Sequence, residues 1–345
     1  TTFLLEAGIR GALTIAGEGR PGRLVGRIFQ NAELRPAEWE PELSVLSLDL
    51  ETDPQRTRIL SAALWGAAGR EVLVAAPAPG LGFAETIEVE GATAVVRVYP
   101  GEKELLLGLV ERLRALDPDV LTGWNVIDFD LRVLQDRFAA HHLPFHLGRA
   151  EIEGRLLLDR GAWNLSRAIL PGRVVLDGLG LARGAFLRLE DYRLETAARE
   201  ILGEGKTIAS EDRGEEILRL YHEDLPAFLR YNLNDARLVD AILAKKRLVP
   251  LCVRQSLLTG MAPDRTGASI ASFDFLYLTE LHRRGLVGPT TRADRPPAPT
   301  AGGFVLSTRP GIYDEVAVLD YRSLYPSIIR TFRLDPLSLI REGTP

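Results

Sequence analysis

Two acidic side chains interrupt an apolar stretch in the segment VLSLDLETD, which covers residues 45 to 53. A strand sends residues i and i+2 to the same side, so Asp49 and Glu51 share one face while the neighbouring leucines take the other. Two like charges this close repel each other unless a cation lies between them, and hard divalent ions such as Mg²⁺ prefer carboxylate oxygens. The segment therefore indicates either part of a metal site or the polar face of a partly solvated edge strand.

Further acids follow in two segments with helical character. In GWNVIDFDL, Asp130 opens a predicted helix directly after a short strand, where capping the helix is the simplest role for an Asp. In YNLNDARLV, Tyr231 and Asp235 are four residues apart on a predicted helix, so both side chains emerge from one face. Taken alone, each pattern is common, and a helix cap or a chance spacing explains it equally well.

In this order, the three patterns resemble the three motifs of the DEDD exonucleases. They are Asp-x-Glu on a strand, then Asn-x-x-x-Phe-Asp, then Tyr-x-x-x-Asp on a helix, as in the subclass of that family with a Tyr before its last Asp. The resemblance implies a ribonuclease-H-like α/β fold, with a mixed sheet flanked by helices, and removal of nucleotides from 3′ ends. It also implies two divalent ions per site, Mg²⁺ or Mn²⁺, which can activate a water and stabilise the leaving 3′ oxygen.

The same resemblance implies a role for each matching residue. Asp49 would bridge both ions, while Glu51 and Asp235 would bind the ion that carries the attacking water. Tyr231 would orient that water, and Asp130 would hold the second ion, largely through water.

The Asn of the second motif and three acids near the motifs remain. By resemblance, Asn125 contacts the terminal nucleotide, and a side chain that stabilises its turn is an equal alternative. The acids Asp53, Asp128 and Asp177 do not match the motifs, and we interpret them as surface or turn residues.

The most specific string is LDYRSLYPSII, at residues 319 to 329. It resembles the first palm motif of the family B DNA polymerases, Asp-x-x-Ser-Leu-Tyr-Pro-Ser-Ile. The resemblance to that family covers about residues 40 to 340 and is closest to the bacterial DNA polymerase II branch. By resemblance, Asp320 binds the metals of nucleotidyl transfer, and Tyr325 lies under the incoming sugar and excludes a 2′-hydroxyl. The alternative is a strand and a helix start without chemistry.

By the same resemblance, we expect the polymerase site to be incomplete in this chain. The family places a second catalytic Asp in a Tyr-Gly-Asp-Thr-Asp motif far downstream, after a Lys-rich helix, and the sequence ends at Pro345 before either. It also begins at Thr1 without an initiator Met. We therefore expect a piece of a longer polymerase, in which the exonuclease residues alone are complete.

The expected substrate is the single-stranded 3′ end of a primer, which a proofreading exonuclease shortens. In the full-length enzyme, dNTP and primer-template DNA are the expected ligands, and a sliding clamp is a further candidate partner. Two alternatives stay open: a stand-alone DEDD nuclease that acts on RNA or DNA, and a catalytically weak DNA-binding module.

Four segments must position these residues. They are a remnant of an N-terminal β domain (1–40), the exonuclease domain (41–248), a helical connector with a Pro-rich linker (249–300) and the start of a palm domain (301–345). The patterns predict strands in SVLSLDLET, RILSAALWG, REVLVAAP, DVLTGWN and RVVLDG. They predict helices over residues 102–116, in FDLRVLQDRFAAHH, and from about 215 to 248 with an interruption near Pro226. EVAVLDYRSLYPSIIR predicts a buried strand, a turn and a helix start, with Pro326 in the first helical turn.

Composition narrows the class of protein. The chain has 345 residues and a formal charge of −5, which argues mildly against a basic surface that wraps duplex DNA. Cys252 is its single cysteine, so an internal disulfide and a cysteine-based zinc site are excluded. No apolar run approaches the roughly 20 residues of a membrane span. Near the N-terminus, Glu6 and Arg10 stand where a signal peptide would have its apolar segment. We expect a cytoplasmic, nucleoid-associated protein.

Overall fold

A computed structural model describes residues 4, 6–22, 26–77, 84–159, 166–204, 213–288, 304 and 306–334. The chain divides into two units, Thr1–Pro289 and Thr290–Pro345, and each is described by itself. The predicted connector with its Pro-rich linker (249–300) is described only as far as residue 288, so the rest of the linker lies outside the described residues. The predicted start of the palm, at residue 301, lies outside them as well.

Four short strands precede the main sheet, as the sequence predicts for residues 1 to 40. Strand β1 (Leu13–Ala16) pairs antiparallel with β4 (Glu33–Pro36), and β2 (Gly19–Pro21) pairs antiparallel with β3 (Arg27–Phe29). Most of their side chains are exposed. Their assignment to the remnant of another domain stays a prediction.

The main sheet of the described residues has seven strands and mixed directions. The next strands in the chain are β5 (Val45–Thr52), β6 (Ile59–Gly66), β7 (Gly69–Ala75), β8 (Thr86–Val89), β9 (Ala92–Tyr99), β10 (Val120–Gly123), β11 (Arg155–Leu157), β12 (Arg167–Ile169) and β13 (Val174–Asp177). Their order in the sheet is β13-β10-β5-β6-β7-β9-β8, while β11 and β12 form a separate antiparallel pair. The pairs β13–β10, β10–β5 and β7–β9 are parallel and the others antiparallel. The predicted mixed sheet is thereby confirmed.

Helices flank this sheet on both faces. In the first unit they are α1 (Glu102–Leu116), α2 (Arg132–Ala140), α3 (Gly178–Gly184), α4 (Leu194–Leu202), α5 (Arg213–Glu223), α6 (Leu225–Lys245), α7 (Leu248–Thr259) and α8 (Ser269–Arg283). A turn of π-helix, Ile127–Leu131, leads into α2, and a 3₁₀ turn, Pro263–Arg265, precedes α8. None of the described helices combines the length and the apolarity that a membrane crossing requires.

One face of the sheet is covered by α1 and α2. The leucines of α1 recur at helical spacing and are buried together with Leu46, Leu48 and Leu50 of β5. Burying each such side chain stabilises the fold by about 1.5–3 kcal/mol. Helix α1 ends at Leu116; the N–H of Asp117 still donates to the carbonyl of Leu113, and the left-handed backbone of Asp117 (φ 44°) then turns the chain away from the helix.

The opposite face is covered by α5 and α6. Phe228 and Leu233 of α6 pack with apolar residues of β6 and β7 in a second buried cluster. The predicted interruption near Pro226 is the short break between α5 and α6. There the Asp224 carboxylate caps α6 by accepting the N–H of Ala227 at 3.1 Å, and Pro226 occupies the first turn.

A buried acid at the start of α1 ties three elements together. The Glu102 carboxylate accepts the backbone N–H of Ile59 at 2.8 Å and contacts Arg137 at 2.8 Å and His141 at 2.7 Å. Burial alone would raise the pKa of Glu102, but these hydrogen bonds outweigh it and hold the pKa below its ordinary value. The contacts fix the start of β6 relative to α1 and α2.

The second unit contains helix α9, Leu324–Phe332, with Pro326 in its first turn as predicted. The strand predicted for residues 315 to 320 does not form: those residues are exposed and make no strand pairing. A strand needs a neighbour for its backbone N–H and C=O groups. The described residues of this unit include no other strand that could serve as one.

Candidate metal centre

Three carboxylates converge between β5 and α6. One oxygen from each of Asp49, Glu51 and Asp235 lies within 4.8 Å of the other two. Glu51 and Asp235 are buried, and Asp49 is partly exposed. The structure therefore brings together three of the four acids that the sequence motifs select.

Strand alternation and helix packing explain this convergence. Leu48 and Leu50 enter the core beneath α1, so the alternate side chains of β5 point toward α6, as the sequence predicts. Helix α6 packs on β5 and β6, and Asp235 projects from it one turn after Tyr231. A strand and a distant helix thus supply one set of ligands.

The composition of this cluster fits a hard divalent cation. Three carboxylates within 4.8 Å of one another can carry their negative charges together only if a cation offsets the repulsion, which burial strengthens. All three donors are oxygens, which Mg²⁺ and Mn²⁺ prefer over nitrogen or sulfur. Among the described residues, this is the only group of three Asp, Glu, His or Cys side chains close enough to one another to hold a metal ion.

The fourth acid, Asp130, makes a different contact. Its Oδ1 accepts the backbone N–H of Leu50 at 2.9 Å, and its side chain is buried. Strand β10 pairs with β5 only as far as Ser47, so Leu50 lies beyond the end of that ladder and Asp130 provides its acceptor. Burial, and after it the charge of Asp49, raises the pKa of Asp130 well above its ordinary value.

Asp130 does not cap a helix, contrary to the simplest interpretation of its motif. It lies inside the π turn, where the N–H of Leu131 donates to the carbonyl of Val126 at 2.8 Å, five residues back. Turns of this kind are rare and frequent at functional sites. The turn directs Asp130 toward β5.

Asp177, which we interpret from the sequence as a surface or turn residue, lies at a turn and is not exposed. It is half-buried at the start of α3, where Oδ1 accepts the N–H of Gly180 at 3.0 Å and Oδ2 that of Ile127 at 3.3 Å. Burial raises its pKa. Because Ile127 begins the π turn, Asp177 holds in place the segment that carries Asp130. Asp53 is a turn residue as expected, accepting the N–H groups of Thr57 and Arg58.

Tyr231 and Asn125 have contrasting surroundings. Tyr231 is buried on α6, within the apolar cluster beneath α5. Asn125 follows β10 in a left-handed conformation (φ 61°), and its carbonyl accepts the N–H of Phe129 at 3.1 Å. Asn tolerates this backbone better than most residues, but the bond comes from its main chain, so a turn-stabilising role of its side chain stays a prediction. A contact with a nucleotide stays a prediction.

Sequence reasoning missed two polar residues at the site. Asn232 donates through Nδ2 to Oδ2 of Asp49 at 2.8 Å and to its main-chain oxygen at 3.1 Å. Oδ1 of Asn232 accepts the hydroxyl of Ser61 at 2.7 Å. Asn232 precedes Asp235 by three residues, so helical spacing could have placed it on the site face of α6. Ser61 carries no such signal, because its contact depends on how α6 crosses β6.

An arginine also lies beside the motif of Asp130. The guanidinium of Arg56, in the loop after β5, is 4.8 Å from the ring centre of Phe129. Arg56 is exposed and Phe129 is half-buried. A cation over an aromatic ring is a stable pair, and both groups can also stack on nucleobases.

The two residues of the palm motif lie in the second unit. Asp320 precedes α9 and Tyr325 is its second residue, and both are exposed. In the part of the chain that the structure describes, Asp320 does not join any group of three metal-ligating side chains.

Two family models match this chain. The model for the DNA polymerase family B exonuclease domain matches residues 26–197, which include Asp49, Glu51 and Asp130. The model for DNA polymerase family B matches residues 265–344, which include Asp320 and Tyr325.

Individual proteins show the same similarity. DNA polymerase II of Escherichia coli (strain K12) is 38% identical over 350 residues, which span 99% of this chain and 42% of that protein. A DNA polymerase of Desulfurococcus sp. (strain Tok) is 30% identical over 252 residues, which span 70% of this chain and 31% of that protein. The solved structure of the family B DNA polymerase of Pyrobaculum calidifontis has a TM-score of 0.70 at 22% identity, over all of this chain and 43% of that one. The chain thus spans less than half the length of each of these proteins.

Proposed function

The chain belongs to the family B DNA polymerases, and from that premise we propose that its first unit is a metal-dependent 3′→5′ exonuclease. The observation that carries the proposal is the convergence of the Asp49, Glu51 and Asp235 carboxylates within 4.8 Å. A sheet of the expected mixed type holds two of these acids, and the helix packed on it holds the third.

The acids would hold two divalent ions, Mg²⁺ or Mn²⁺. Asp49, Glu51 and Asp235 would bind the first, with Asp49 shared, and Asp130 would contribute to the second. When bound, such ions lower the pKa of a water and stabilise a leaving oxygen. Tyr231, one helical turn before Asp235, would orient the attacking water through its hydroxyl.

We propose a single-stranded 3′ end of DNA as the substrate. Single strands are held by stacking on aromatic rings and by positive charge along the backbone. The exposed Arg56 guanidinium over Phe129 provides both features one residue from Asp130. Asn125, in the same turn, would contact the terminal nucleotide. Such a substrate would place the protein in the cytoplasm, at the nucleoid.

The proposal extends to nucleotidyl transfer through the second unit. Asp320 would bind the metal ions of dNTP addition on a primer-template, and Tyr325 would lie under the incoming sugar. The match of residues 265–344 to DNA polymerase family B supports this part, and it argues against a stand-alone nuclease. A sliding clamp as partner stays a prediction.

Digestion of a 5′-labelled single-stranded oligonucleotide tests the exonuclease. With Mg²⁺ or Mn²⁺, the protein should produce a ladder that shortens from the 3′ end. Asp49→Ala should lower the rate by at least about 10²-fold, because it removes the carboxylate shared within the cluster. Asp53→Asn is the matched control: this acid lies four residues further on, and Asn keeps the oxygen that accepts from Thr57 and Arg58.

Two results would contradict the proposal. An unchanged rate in Asp49→Ala would remove the acid cluster from the reaction. Binding of the oligonucleotide in a gel shift, without cleavage in either metal, would instead favour a DNA-binding module.

A further inference from the structure

A fully buried amide holds the Asp49 side chain from one direction. Asn232 directs Nδ2 at two acceptors, Oδ2 of Asp49 at 2.8 Å and the main-chain oxygen of Asp49 at 3.1 Å. Both acceptors belong to one residue, so the amide ties the carboxylate to its own backbone. Rotation of Asp49 about χ1 would move Oδ2 away and break one of the two bonds.

A second buried group fixes the orientation of that amide. Oδ1 of Asn232 accepts the hydroxyl of Ser61 at 2.7 Å, and Ser61 is fully buried on β6. If the amide were turned over, its oxygen would face the oxygens of Asp49, and its NH₂ would face Ser61. Ser61 is also the residue of β6 that pairs with Glu51. The hydroxyl therefore joins β6 to α6, and the amide joins α6 to β5.

The chemistry of the amide suits a residue that must still bind a cation. An Arg or Lys in this position would add a positive charge, which would compete with a metal ion for Asp49. A neutral amide donates hydrogen bonds and leaves the negative charge of the carboxylate in place. It restricts the orientation of Asp49 without neutralising it.

We propose that Asn232 and Ser61 are positioning residues, which hold Asp49 in the orientation that binds a divalent cation together with Glu51 and Asp235. The inference rests on the proposed function for the presence of the cation. Hydrogen-bond partners of a ligating carboxylate typically change metal affinity by about 10–100-fold when they are removed. The role is therefore measurable apart from catalysis.

Manganese binding to the full chain without DNA tests the proposal. Free Mn²⁺, followed by electron paramagnetic resonance during a titration, reports the dissociation constant directly. Asn232→Leu should weaken binding by about 10–100-fold, because Leu has a similar shape and no donor. Ser61→Ala should weaken binding less, since the amide stays but can turn over.

Two further variants make the result specific. Tyr221→Phe removes another buried hydrogen bond, which the tyrosine hydroxyl donates to the carbonyl of Ala75. Tyr221 belongs to the buried cluster that α5 and α6 form with β6 and β7. It should lower thermal stability and leave the affinity for Mn²⁺ unchanged. Asp49→Ala should abolish the binding. In the oligonucleotide assay, a high concentration of Mn²⁺ should restore the rate of Ser61→Ala to that of the wild type. The substitution would then raise the Mn²⁺ concentration that the reaction requires and leave the maximal rate unchanged.

The outcomes separate this inference from the proposed function. Wild-type affinity in both Asn232→Leu and Ser61→Ala would overturn the positioning role and leave the exonuclease proposal standing. If Asn232→Leu does not fold, wild-type affinity in Ser61→Ala is enough to overturn the role. Equal loss of affinity in Tyr221→Phe would also overturn it, because any loss of core stability would then explain the effect. Failure of the wild type to bind Mn²⁺, or full binding by Asp49→Ala, would overturn both.

Discussion

At the scale of single residues, Asp130 shows most clearly that a residue of the site lowers the stability of the folded protein. The residue is 3% exposed, and burial, together with the charge of Asp49, raises its pKa well above the ordinary value. Folding therefore shifts the equilibrium of Asp130 toward the neutral acid, relative to an exposed Asp. Its bond from Leu50 needs an acceptor oxygen but no charge.

The first prediction concerns Asp130→Asn in the absence of metal. Since the folded pKa exceeds the unfolded one, the folded state binds more protons between the two values, and wild-type stability falls as the pH rises through that interval. Asn keeps an acceptor for Leu50 and carries no charge. The variant should therefore have a higher free energy of unfolding than the wild type at pH 7.5.

Urea unfolding in a chelator, at pH 7.5 and near pH 4, measures this difference. The advantage of the variant should shrink as the pH falls toward 4, because the acid of the unfolded wild type, with a pKa of about 3.9, is then about half protonated. A variant that is less stable than the wild type at pH 7.5 would show that the charged form is the favoured one.

A second residue-scale prediction concerns Tyr231→Phe. The ring is buried in the apolar cluster and Phe fills the same space, so the fold should tolerate the change. If the hydroxyl orients the attacking water as proposed, its loss should slow digestion of the single-stranded oligonucleotide by about 10²-fold, within the range of a positioned proton-transfer group. The affinity for Mn²⁺ measured without DNA should not change. Wild-type rates would remove Tyr231 from the reaction.

At the scale of elements, the end of β10 decides where Asp130 lies. Gly123 ends that strand, and a Cβ built on it would lie 2.4 Å from the carbonyl oxygen of Leu48 and 2.9 Å from Val126. Only a residue without a side chain lets β10 approach β5 this closely. The π turn that carries Asp130 begins four residues later.

Gly123→Ala should therefore push β10 away from β5. We expect the variant to lose about 1–3 kcal/mol of unfolding free energy, and to lose exonuclease activity beyond that, since a shift of about 1 Å can lower a rate 10²-fold. Gly184→Ala is the matched control, because no atom lies within 4 Å of the added Cβ at the end of α3. Urea unfolding and the oligonucleotide assay compare the two. Equal behaviour of both variants would contradict the prediction.

The elements also show what could be predicted from the sequence. Strand β5 and helix α1 follow from periodicity, because their alternating and helical apolar patterns are uninterrupted. The π turn has no such pattern, so Asp130 was expected to open an ordinary helix. Asp177 resembles any turn acid until β13 and the π turn are placed side by side. The β8–β9 hairpin was not predicted, although its turn at Glu90 and Gly91, both with positive φ, is a common hairpin connection.

The acids of the site were predictable as types and spacings, whereas their neighbours were not. Asp49, Glu51 and Asp235 match motifs that the family resemblance selects, and the structure brings them together. Ser61 and Asn232 meet only because α6 crosses β6, which a single sequence does not reveal. Contacts across the fold decide such positions.

At the scale of the whole molecule, the acid cluster and its partners lie in the first unit. The three buried apolar clusters of the described residues also consist of residues from that unit. The described residues 306–334 of the second unit are exposed. The proposed exonuclease site and the core that supports it thus consist of residues before 290.

A chain that ends at Pro289 should therefore keep the exonuclease. We expect its thermal midpoint to change by less than about 2 °C, and its digestion of the oligonucleotide to be unchanged. A chain that ends at Arg247 is the control, since it removes Leu248, Val249 and Cys252 from a core cluster and should unfold at lower temperature. Loss of activity on removal of residues 290–345 alone would show that the site depends on the second unit.

The π turn at Ile127–Leu131 has a consequence for insertions and deletions. Each residue advances a helix by about 100°, and a π turn accommodates one residue more than an α turn over the same stretch. Deletion of one residue here would let the backbone resume ordinary winding and would rotate Asp130 away from Leu50. The number of residues between Asn125 and Asp130 is therefore fixed by the site, even where the side chains between them can vary. A substitution within this segment keeps the position of Asp130 along the chain, whereas a deletion changes it.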